Sequence, residues 1–373
     1  MSSVFDTFEV NTNVKIKNHC YTNSSHKCKF YFMAKIAING FGRIGRAFFR
    51  LAVNRTDLEI VAINDLGDLE NLAYLLRYDS TYGRAQFDVI VKDKTLVVNG
   101  KSITFLQERD PKALPWGKLG VEVVVESTGF FASYELSKQH LEAGAKRVVI
   151  SAPVKDDPNT AGVSGATVLM GVNEAVLGTC TISSNASCTT NAVSPLIAIL
   201  KEAIGIEKAI LNTVHAYTAS QSLVDSPSKK DFRSGRAAAL NIIPSTTGAA
   251  VATTLAHTDL AGKFDGIAMR VPVAVGSIVD VTFVASRATT VEEINNALRN
   301  AAKTDQWKNL FATTDEPLVS TDIIGARYAA IADLSFTKVV AGDLVKVLAW
   351  YDNETSYAYT LIEHVVAVVK TIK

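Results

Sequence analysis

The first half of the chain alternates two patterns of apolar residues. Short continuous runs rich in Val and Ile predict β-strands, and stretches with an apolar residue every three or four positions predict amphipathic helices. Strands that alternate with helices indicate an α/β domain, with a parallel sheet covered by helices on both faces. The predicted strands are Lys35–Ile38, Leu58–Ile63, Val121–Glu126 and Arg147–Ser151, and the predicted helices are Arg43–Val53, Leu69–Leu76 and Tyr134–Ala143.

After about residue 208 the pattern changes to longer β-rich runs. These runs predict a second domain of the α+β class with a mainly antiparallel sheet, and an amphipathic helix closes the chain. The predicted strands are Ala209–His215, Gly266–Val273, Ser277–Ala285 and Val345–Tyr351, and the predicted helices are Thr290–Ala302 and Ser356–Lys373.

Residues 1–32 differ from the rest of the chain. They are rich in Asn, Ser and Lys, contain Cys20 and Cys28, and have no periodic apolar face. They lack the apolar core of a secretory signal, and the absence of arginine disfavours a mitochondrial transit peptide. We predict that this segment is a disordered extension, or that it results from a start codon wrongly chosen upstream. We expect the folded chain to begin at Met33.

Composition excludes several classes of protein. The chain has 373 residues, 48% of them apolar and 20% charged, with 38 Lys and Arg against 37 Asp and Glu. A net charge of +1 gives no electrostatic reason to bind nucleic acid or an acidic membrane. No apolar run reaches the ~18 residues of a membrane-spanning helix. The four cysteines form no C-x-x-C pair, so we expect a reducing, cytoplasmic location.

A glycine motif lies between the first predicted strand and helix. Gly40, Gly42 and Gly45 form G-x-G-x-x-G, in which the glycines allow a tight turn, close approach of a pyrophosphate and close packing of helix on strand. Asp65 ends the second strand twenty residues after Gly45, where a carboxylate can accept both ribose hydroxyls. A helix cap or turn is the alternative role for this aspartate. The order of these features predicts a Rossmann-type domain that binds NAD rather than NADP, since a carboxylate repels a 2′-phosphate.

Cys188 is the candidate nucleophile. It precedes the apolar helical run Ala192–Ile204, and a helix N-terminus lowers the pKa of a thiol toward the reactive thiolate. The alternative is a buried, inert cysteine, a role that suits Cys180 better because it lies in a predicted strand. Polar neighbours on both sides of Cys188 favour the reactive role.

His215 is the candidate base, because it ends the strand that begins at Ala209 and can reach a helix-start cysteine across a cleft. From spacing alone, an ordinary capping histidine is an equal alternative. His19 and His26 lie in the extension. The sequence shows no polar cluster around the remaining histidines, which are His140, His257 and His364.

Two further segments suggest anion binding. Thr247 and Gly248 follow Ser245 and Thr246 just before an alanine-rich helical run, and Arg270 lies inside an apolar strand. Hydroxyls before a helix are often only caps, and a half-buried arginine is often only a structural ion pair. The basic segment Lys229–Arg236 is most simply a solvated loop.

Together the motifs resemble phosphorylating glyceraldehyde-3-phosphate dehydrogenases from Met33 to Lys373. The resemblance is carried by the segments Ile38–Arg46, Ala186–Asn191, Ile242–Gly248 and Trp350–Glu354. It implies that Cys188 attacks the aldehyde of glyceraldehyde 3-phosphate, that His215 acts as acid and base while hydride passes to NAD, and that inorganic phosphate cleaves the thioester to give 1,3-bisphosphoglycerate. It also implies an NAD-binding domain over residues 33–187 and 352–373, and a catalytic domain over residues 188–351.

The resemblance also implies binding roles for individual residues and implies that there is no metal site. It further implies a homotetramer in which the loop Thr218–Arg236 is buried between subunits. The residues that match positions for the attacking phosphate are Ser187, Thr189, Thr247 and Gly248, and those for the substrate phosphate are Thr218 and Arg270. The residues that match NAD positions are Gly40, Gly42, Arg43, Ile44, Gly45, Asp65, Arg109, Ser127, Thr128, Ser151 and Asn353.

The chain departs from the family pattern at an apparent insertion, Lys155–Thr167, and near Val273–Gly276.

Three alternative functions remain. An erythrose-4-phosphate dehydrogenase shares the fold and the cysteine, an NADP-linked enzyme is disfavoured by Asp65, and a non-catalytic NAD-binding protein would be expected to lose Cys188 or His215.

Overall fold

A computed structural model describes residues 33–228 and 231–372. The extension predicted at residues 1–32 lies outside the described residues, and so do Lys229, Lys230 and Lys373. In chain order the strands are β1 (Ala34–Asn39), β2 (Leu58–Asn64), β3 (Tyr78–Asp79), β4 (Gly83–Arg84), β5 (Val89–Lys92), β6 (Thr95–Val98), β7 (Lys101–Leu106), β8 (Val123–Glu126), β9 (Arg147–Ile150), β10 (Gly165–Thr167), β11 (Ile182–Ser184), β12 (Ile206–Ala216), β13 (Ile243–Thr246), β14 (Phe264–Val271), β15 (Ser277–Ala285), β16 (Phe311–Thr314), β17 (Ala330–Val340) and β18 (Leu344–Tyr351).

The α-helices are α1 (Arg43–Ala52), α2 (Leu69–Arg77), α3 (Trp116–Leu119), α4 (Tyr134–Glu142), α5 (Pro158–Ala161), α6 (Cys188–Ile204), α7 (Ala249–Thr254), α8 (Val291–Ala301) and α9 (Thr355–Thr371). Short 3₁₀ helices are found at Pro111–Ala113, Glu174–Gly178, Arg233–Gly235, Thr258–Leu260 and Ser320–Ile323. No helix among the described residues is long and apolar enough to cross a membrane.

A nine-stranded sheet is built from strands before residue 185, in the order β10-β11-β9-β8-β1-β2-β7-β6-β5. From β10 to β7 in this order each strand is parallel to the next, whereas the pairs β7 with β6 and β6 with β5 are antiparallel. The chain leaves β1 toward β2 and later returns to its other side at β8. Such a reversal opens a crevice at the carboxyl ends of the strands, where open α/β sheets bind ligands.

A seven-stranded sheet is built from strands after residue 205, in the order β13-β14-β12-β15-β18-β17-β16. Four of its six pairings are antiparallel, while β12 and β14, and β16 and β17, run parallel. The mainly antiparallel sheet predicted from the sequence is therefore confirmed. Along β15 every second residue is fully buried, because one face of the sheet packs against α6 and α8.

The closing helix α9 returns the chain to the first sheet. Leu361, Ile362 and Val365 pack in one core with Phe48 and Phe49 of α1. The ion pair of Glu354 with Arg43 places the residues just before α9 beside the N-terminus of α1. The exact division into two domains at residue 187 stays a prediction.

Most predicted elements are present, with ends shifted by one to three residues. The predicted insertion forms the short helix α5, which is capped by Asp157, and the edge strand β10. The prediction for Cys180 is wrong in one respect. This buried cysteine lies in the turn before β11, and its Sγ donates to the carbonyl of Val176.

Candidate active site

Cys188 is the first residue of the 17-residue helix α6. The helix begins there because the Oγ of Ser187 accepts a hydrogen bond from the N–H of Thr190 at 3.1 Å, which satisfies one of the free donors of the first turn. Ala186, just before this cap, has φ of +54°, which turns the chain sharply into the helix. The nucleophile predicted from the sequence therefore lies at a helix N-terminus, as expected.

His215 lies against this cysteine, as the sequence predicts. Its Nε2 is 3.3 Å from the Sγ of Cys188, and its side chain is buried at the end of β12. The parallel neighbour strand β14 places Arg270 directly opposite His215. The two sheet strands thus bring a base and a cation to one sulfur.

The pKa of each member of the pair is set mainly by burial. Burial, and after it the cation Arg270, together lower the pKa of His215 to about 3, so the ring is neutral at pH 7. Burial raises the pKa of the Cys188 thiol, while Arg270 and hydrogen bonds from Thr189 pull it down. The residue stays partly accessible to solvent, although protein atoms crowd the sulfur.

The lowered thiol pKa expected from the helix N-terminus is therefore wrong for this structure, because burial outweighs Arg270 and the hydrogen bonds that lower the pKa. The result is a neutral thiol beside a neutral imidazole. Such a pair needs only one proton transfer, from sulfur to Nε2, to form the nucleophile.

Tyr351 is a buried residue that contacts this site. Its hydroxyl lies 2.9 Å from the Oγ1 atoms of both Thr189 and Thr213, and its ring meets the His215 ring edge to face. Tyr351 thus packs against the ring of His215 while its hydroxyl is held by the two threonines. The sequence signal for Tyr351 was its place in the Trp350–Glu354 motif, but no role was predicted for it.

The other residues predicted to bind phosphate have local partners. The Oγ1 of Thr218 lies 3.0 Å from the Oγ of Ser220, and the Oγ1 of Thr247 accepts from the N–H of Ala249. Gly248 precedes α7, which has only six residues. Phosphate binding by these residues stays a prediction.

A cavity of about 380 Å³ opens at the crevice of the first sheet. It contains six of the predicted cofactor residues, and its wall also includes Phe130 and Phe131. The six are Gly40, Gly42, Asp65, Arg109, Ser127 and Thr128. A larger, more open cavity of about 710 Å³, beside the hairpin β5–β6, contains none of the predicted site residues.

The three motif glycines differ as the motif requires. Gly40 has φ of +94°, and a Cβ there would come within 2.6 Å of the Ser127 backbone. A Cβ on Gly45 would overlap the carbonyl oxygen of Gly40. Gly42 has no protein atom within 4 Å of the Cβ position, so this face of the backbone is open to a ligand.

Asp65 has the turn role that the sequence left open as the alternative, and its contact with a ribose stays a prediction. Its Oδ2 accepts from the N–H of Phe41 at 2.6 Å and its Oδ1 from the N–H of Gly67 at 2.8 Å, so it fastens two turns. The same carboxylate lines the cavity, and each oxygen retains a lone pair for a ribose hydroxyl. The N-cap of α2 is Asp68, not Asp65.

The side chain of Arg43 is held by two carboxylates of the protein. Its guanidinium forms ion pairs with Asp79 and Glu354. Gly42 provides no side-chain cap to α1, so the N–H groups of Arg43 and Ile44 are the parts available to a pyrophosphate at the helix N-terminus.

Ser151 and Asn353 lie outside the lining of the 380 Å³ cavity. The backbone N–H of Ser151 bonds to the carbonyl of Glu126 at the carboxyl end of β8. The Oδ1 of Asn353 accepts from the N–H of Gly276 and the hydroxyl of Ser277, both at 3.1 Å, which leaves its amide NH₂ for a ligand. Their contact with NAD stays a prediction.

Comparison with known proteins adds an independent finding. Residues 34–134 match the family model for the NAD binding domain of glyceraldehyde 3-phosphate dehydrogenase, and residues 187–353 match the model for its C-terminal domain. The chain belongs to the glyceraldehyde-3-phosphate dehydrogenase family. It is 48% identical over 335 residues to the glyceraldehyde-3-phosphate dehydrogenase of Clostridium acetobutylicum, covering 88% of this chain and 97% of the relative. It is 47% identical over 331 residues to that of Geobacillus stearothermophilus and 46% identical to one from Bacillus subtilis, in both cases covering 88% of this chain and 96% of the relative.

Membership of the glyceraldehyde-3-phosphate dehydrogenase family confirms the resemblance and the two-part fold. It also identifies NAD as the cofactor. The open face of Gly42 and the acidic, glycine-lined cavity fit a dinucleotide. Residues 135–186 and the helix α9 lie outside both matched segments.

The expectation that His140 and His364 lack a polar cluster is wrong. The indole N–H of Trp116 donates to Nδ1 of His140 at 3.0 Å, and Nε2 of the same ring faces the buried carboxylate of Glu126 at 3.1 Å. Glu126 in turn accepts from the N–H of Thr128 at the cavity wall. The partners of each histidine lie far away in the sequence, so local pattern could not reveal them. The only sequence signal was a carboxylate ending an apolar strand at Glu126.

Proposed function

We propose that the chain oxidises and phosphorylates glyceraldehyde 3-phosphate to 1,3-bisphosphoglycerate, with NAD as hydride acceptor and inorganic phosphate as acyl acceptor. The observation that carries the proposal is the 3.3 Å contact between the Sγ of Cys188 and Nε2 of a neutral His215. Aldehyde oxidation by hydride loss is easiest from a tetrahedral adduct, which a thiolate can form.

In the first step His215 takes the thiol proton of Cys188, the sulfur attacks the aldehyde carbon, and the protonated ring returns this proton to the carbonyl oxygen to give a thiohemiacetal. His215 then removes the hydroxyl proton of this adduct as its hydride leaves. NAD supplies the hydride acceptor when bound in the groove that contains Gly42 and Asp65. The carbonyl re-forms as a thioester on Cys188.

In the second step an oxygen of inorganic phosphate attacks the thioester. The carbon–sulfur bond breaks, the acyl phosphate leaves, and the sulfur regains the proton that His215 removed from the adduct. Arg270 lies next to both sulfur and base, so it supports anion binding at the reacting centre. We assign it, with Thr218, to the phosphate of the substrate, and Ser187, Thr189, Thr247 and Gly248 to the attacking phosphate.

We further propose a cytoplasmic homotetramer. Several large apolar side chains are exposed on and after the loop Thr218–Arg236, including Phe232 at 95% and Leu223 at 77%. A second copy of the chain would remove this surface from water. The molar mass in solution tests the assembly, and a monomeric mass would contradict it.

The deciding experiment follows NAD reduction by glyceraldehyde 3-phosphate with and without inorganic phosphate. We expect sustained turnover only with phosphate or arsenate. Turnover that is unchanged without phosphate would mean that another acceptor resolves the thioester, and faster turnover of erythrose 4-phosphate would identify that sugar as the substrate.

The matched variant is Cys188→Ser, which should abolish oxidation but keep NAD binding, because the thiol supplies only the covalent step. NAD binding can be followed by calorimetry. Turnover comparable to the wild type in this variant would overturn the assignment.

A further inference from the structure

The closing helix α9 presents three polar side chains to the segment that carries Cys188. Tyr357, Thr360 and His364 are spaced by three and four residues, so they share one face of the helix. The hydroxyl of Tyr357 donates to the carbonyl of Ala186 at 2.9 Å. Thr360 and His364 both contact the side chain of Asn185, three residues before the nucleophile.

These contacts fix the orientation of the Asn185 amide. The hydroxyl of Thr360 donates to the carbonyl of Tyr357, so it must accept from the amide nitrogen of Asn185 at 3.3 Å. The amide oxygen of Asn185 therefore faces Nδ1 of His364 at 3.1 Å. An oxygen acceptor requires a proton on Nδ1.

The other ring nitrogen of His364 completes the assignment. Nε2 lies 2.8 Å from the Oγ of Ser183, whose hydroxyl can donate to it. Ser183 and Asn185 are two residues apart in extended chain, so both face α9. The ring is fully buried, and burial lowers its pKa to about 3, which agrees with a neutral ring that donates through Nδ1 and accepts through Nε2.

The segment held by these contacts includes a strained turn. Ala186 has a positive φ, which costs of the order of 1 kcal/mol for a residue other than glycine. The amide of Asn191, in the first turn of α6, donates to the carbonyls of Asn185 and Ser187. A displacement of Asn185 would therefore be passed to the start of α6 and to the sulfur of Cys188.

We propose that His364 is a positioning residue for the nucleophile. Its Nδ1–H holds the amide of Asn185, which holds the turn at Ala186 and so keeps the sulfur of Cys188 within reach of His215. The inference rests on the proposed role of Cys188 as nucleophile. His364 lies outside both segments matched by the family models.

The test compares His364→Asn with His364→Gln. The amide nitrogen of asparagine is bonded to Cγ, as Nδ1 is, so it can replace the donor to Asn185. The amide nitrogen of glutamine lies one atom farther out, near the position of Nε2, and cannot. We expect His364→Asn to keep kcat within about twofold, and His364→Gln and His364→Leu to lower it about tenfold, with KM for NAD unchanged.

A second readout needs no substrate. The rate of Cys188 alkylation by iodoacetamide should fall about tenfold in His364→Gln and stay near the wild-type value in His364→Asn. This measurement separates the inference from the proposed function, because it reports on the thiol whatever aldehyde the enzyme takes. If His364→Leu does not fold, the two amide variants still decide.

Ser183→Ala is the matched control, because it removes a hydrogen bond of the same ring but leaves the contact with Asn185. It should lower the melting temperature without changing the alkylation rate. Wild-type kcat and alkylation rates in His364→Gln would overturn the inference, and so would an equal loss in the asparagine and glutamine variants. Either result would make His364 a residue of stability alone.

Discussion

The Nη1 of Arg270 lies 2.5 Å from the Nδ1 of His215, the same nitrogen that faces the carbonyl of Ala216 at 2.6 Å. A guanidinium only donates and a carbonyl only accepts, so Nδ1 can satisfy one partner at a time. When Nδ1 donates to Ala216, Nε2 is unprotonated and can take the proton of Cys188. Arg270 thus contacts the nitrogen whose proton sets the tautomer of the base.

Replacing Arg270 by methionine should shift the pH dependence of Cys188 alkylation. The cation lowers the pKa of the thiol, so its removal should raise the midpoint of the alkylation profile. The substrate KM should also rise about tenfold or more, because a charged phosphate contact is lost. The alkylation profile and the substrate KM are both measured on the purified variant.

Arg287→Met is the control for this substitution, since Arg287 pairs with Glu293 at an exposed position. Its alkylation profile should match the wild type. If the Arg270 variant keeps the wild-type midpoint, the cation does not act on the thiol.

Asp65→Asn should weaken NAD binding and relax the discrimination against NADP. The carboxylate lines the cavity, and an amide no longer repels a 2′-phosphate. We expect KM for NAD to rise about tenfold with little change in kcat, and the ratio of NADP to NAD activity to increase.

Asp68→Asn is the matched control, three residues away. Asp68 caps α2 through the N–H of Asn71 and does not line the cavity. Its variant should leave both KM values unchanged. Equal effects of the two substitutions on KM for NAD would show that Asp65 acts only on folding.

The glycine motif allows a comparison between two alanine variants. Gly42→Ala adds a methyl group where no protein atom lies within 4 Å, so the melting temperature should stay near the wild-type value while KM for NAD rises. Gly45→Ala places a methyl group against the carbonyl of Gly40, so it should lower the melting temperature by several degrees. Thermal unfolding and steady-state kinetics of both variants measure this. A Gly42 variant with unchanged KM would exclude close approach of the cofactor to that face.

The sequence predicts those strands and helices whose own residues show the apolar pattern of the element. The strands β1, β2, β8 and β9 read as apolar runs because both of their faces are covered. The hairpin of β6 and β7 was not predicted, although Asn99 and Gly100 form a hairpin turn signal and both have positive φ. Cys180 was misplaced because a buried turn and a buried strand look alike in composition.

The site was predictable where chemistry follows from neighbours in the sequence. The place of Cys188 at a helix N-terminus is predictable in this way. The burial that sets the pKa of Cys188 depends on strands far along the chain, so the sequence predicted the wrong direction. The contacts of His364 with Ser183 and Asn185 span about 180 positions and are invisible for the same reason.

The buried histidines should make the protein less stable in mild acid. The pKa of His364 is lowered to about 3, against an ordinary value of 6.5, so between these values the unfolded chain binds the proton and the folded chain does not. Stability is therefore full above pH 6.5 and falls as the pH drops toward 3. For one such histidine the loss between pH 7 and pH 5 is about 2 kcal/mol.

Urea unfolding at these two pH values measures the effect. His364→Asn removes the titrating ring, so it should lose about 2 kcal/mol less than the wild type between pH 7 and pH 5. Ser183→Ala keeps the ring and should retain the wild-type dependence on pH, although it is less stable at both values. His215 has a similarly low pKa and titrates in all three proteins, so it cancels from the comparison. An equal loss in the wild type and His364→Asn would mean that His364 titrates in the folded protein as it does in the unfolded chain, and the low pKa expected from burial of its ring would be wrong.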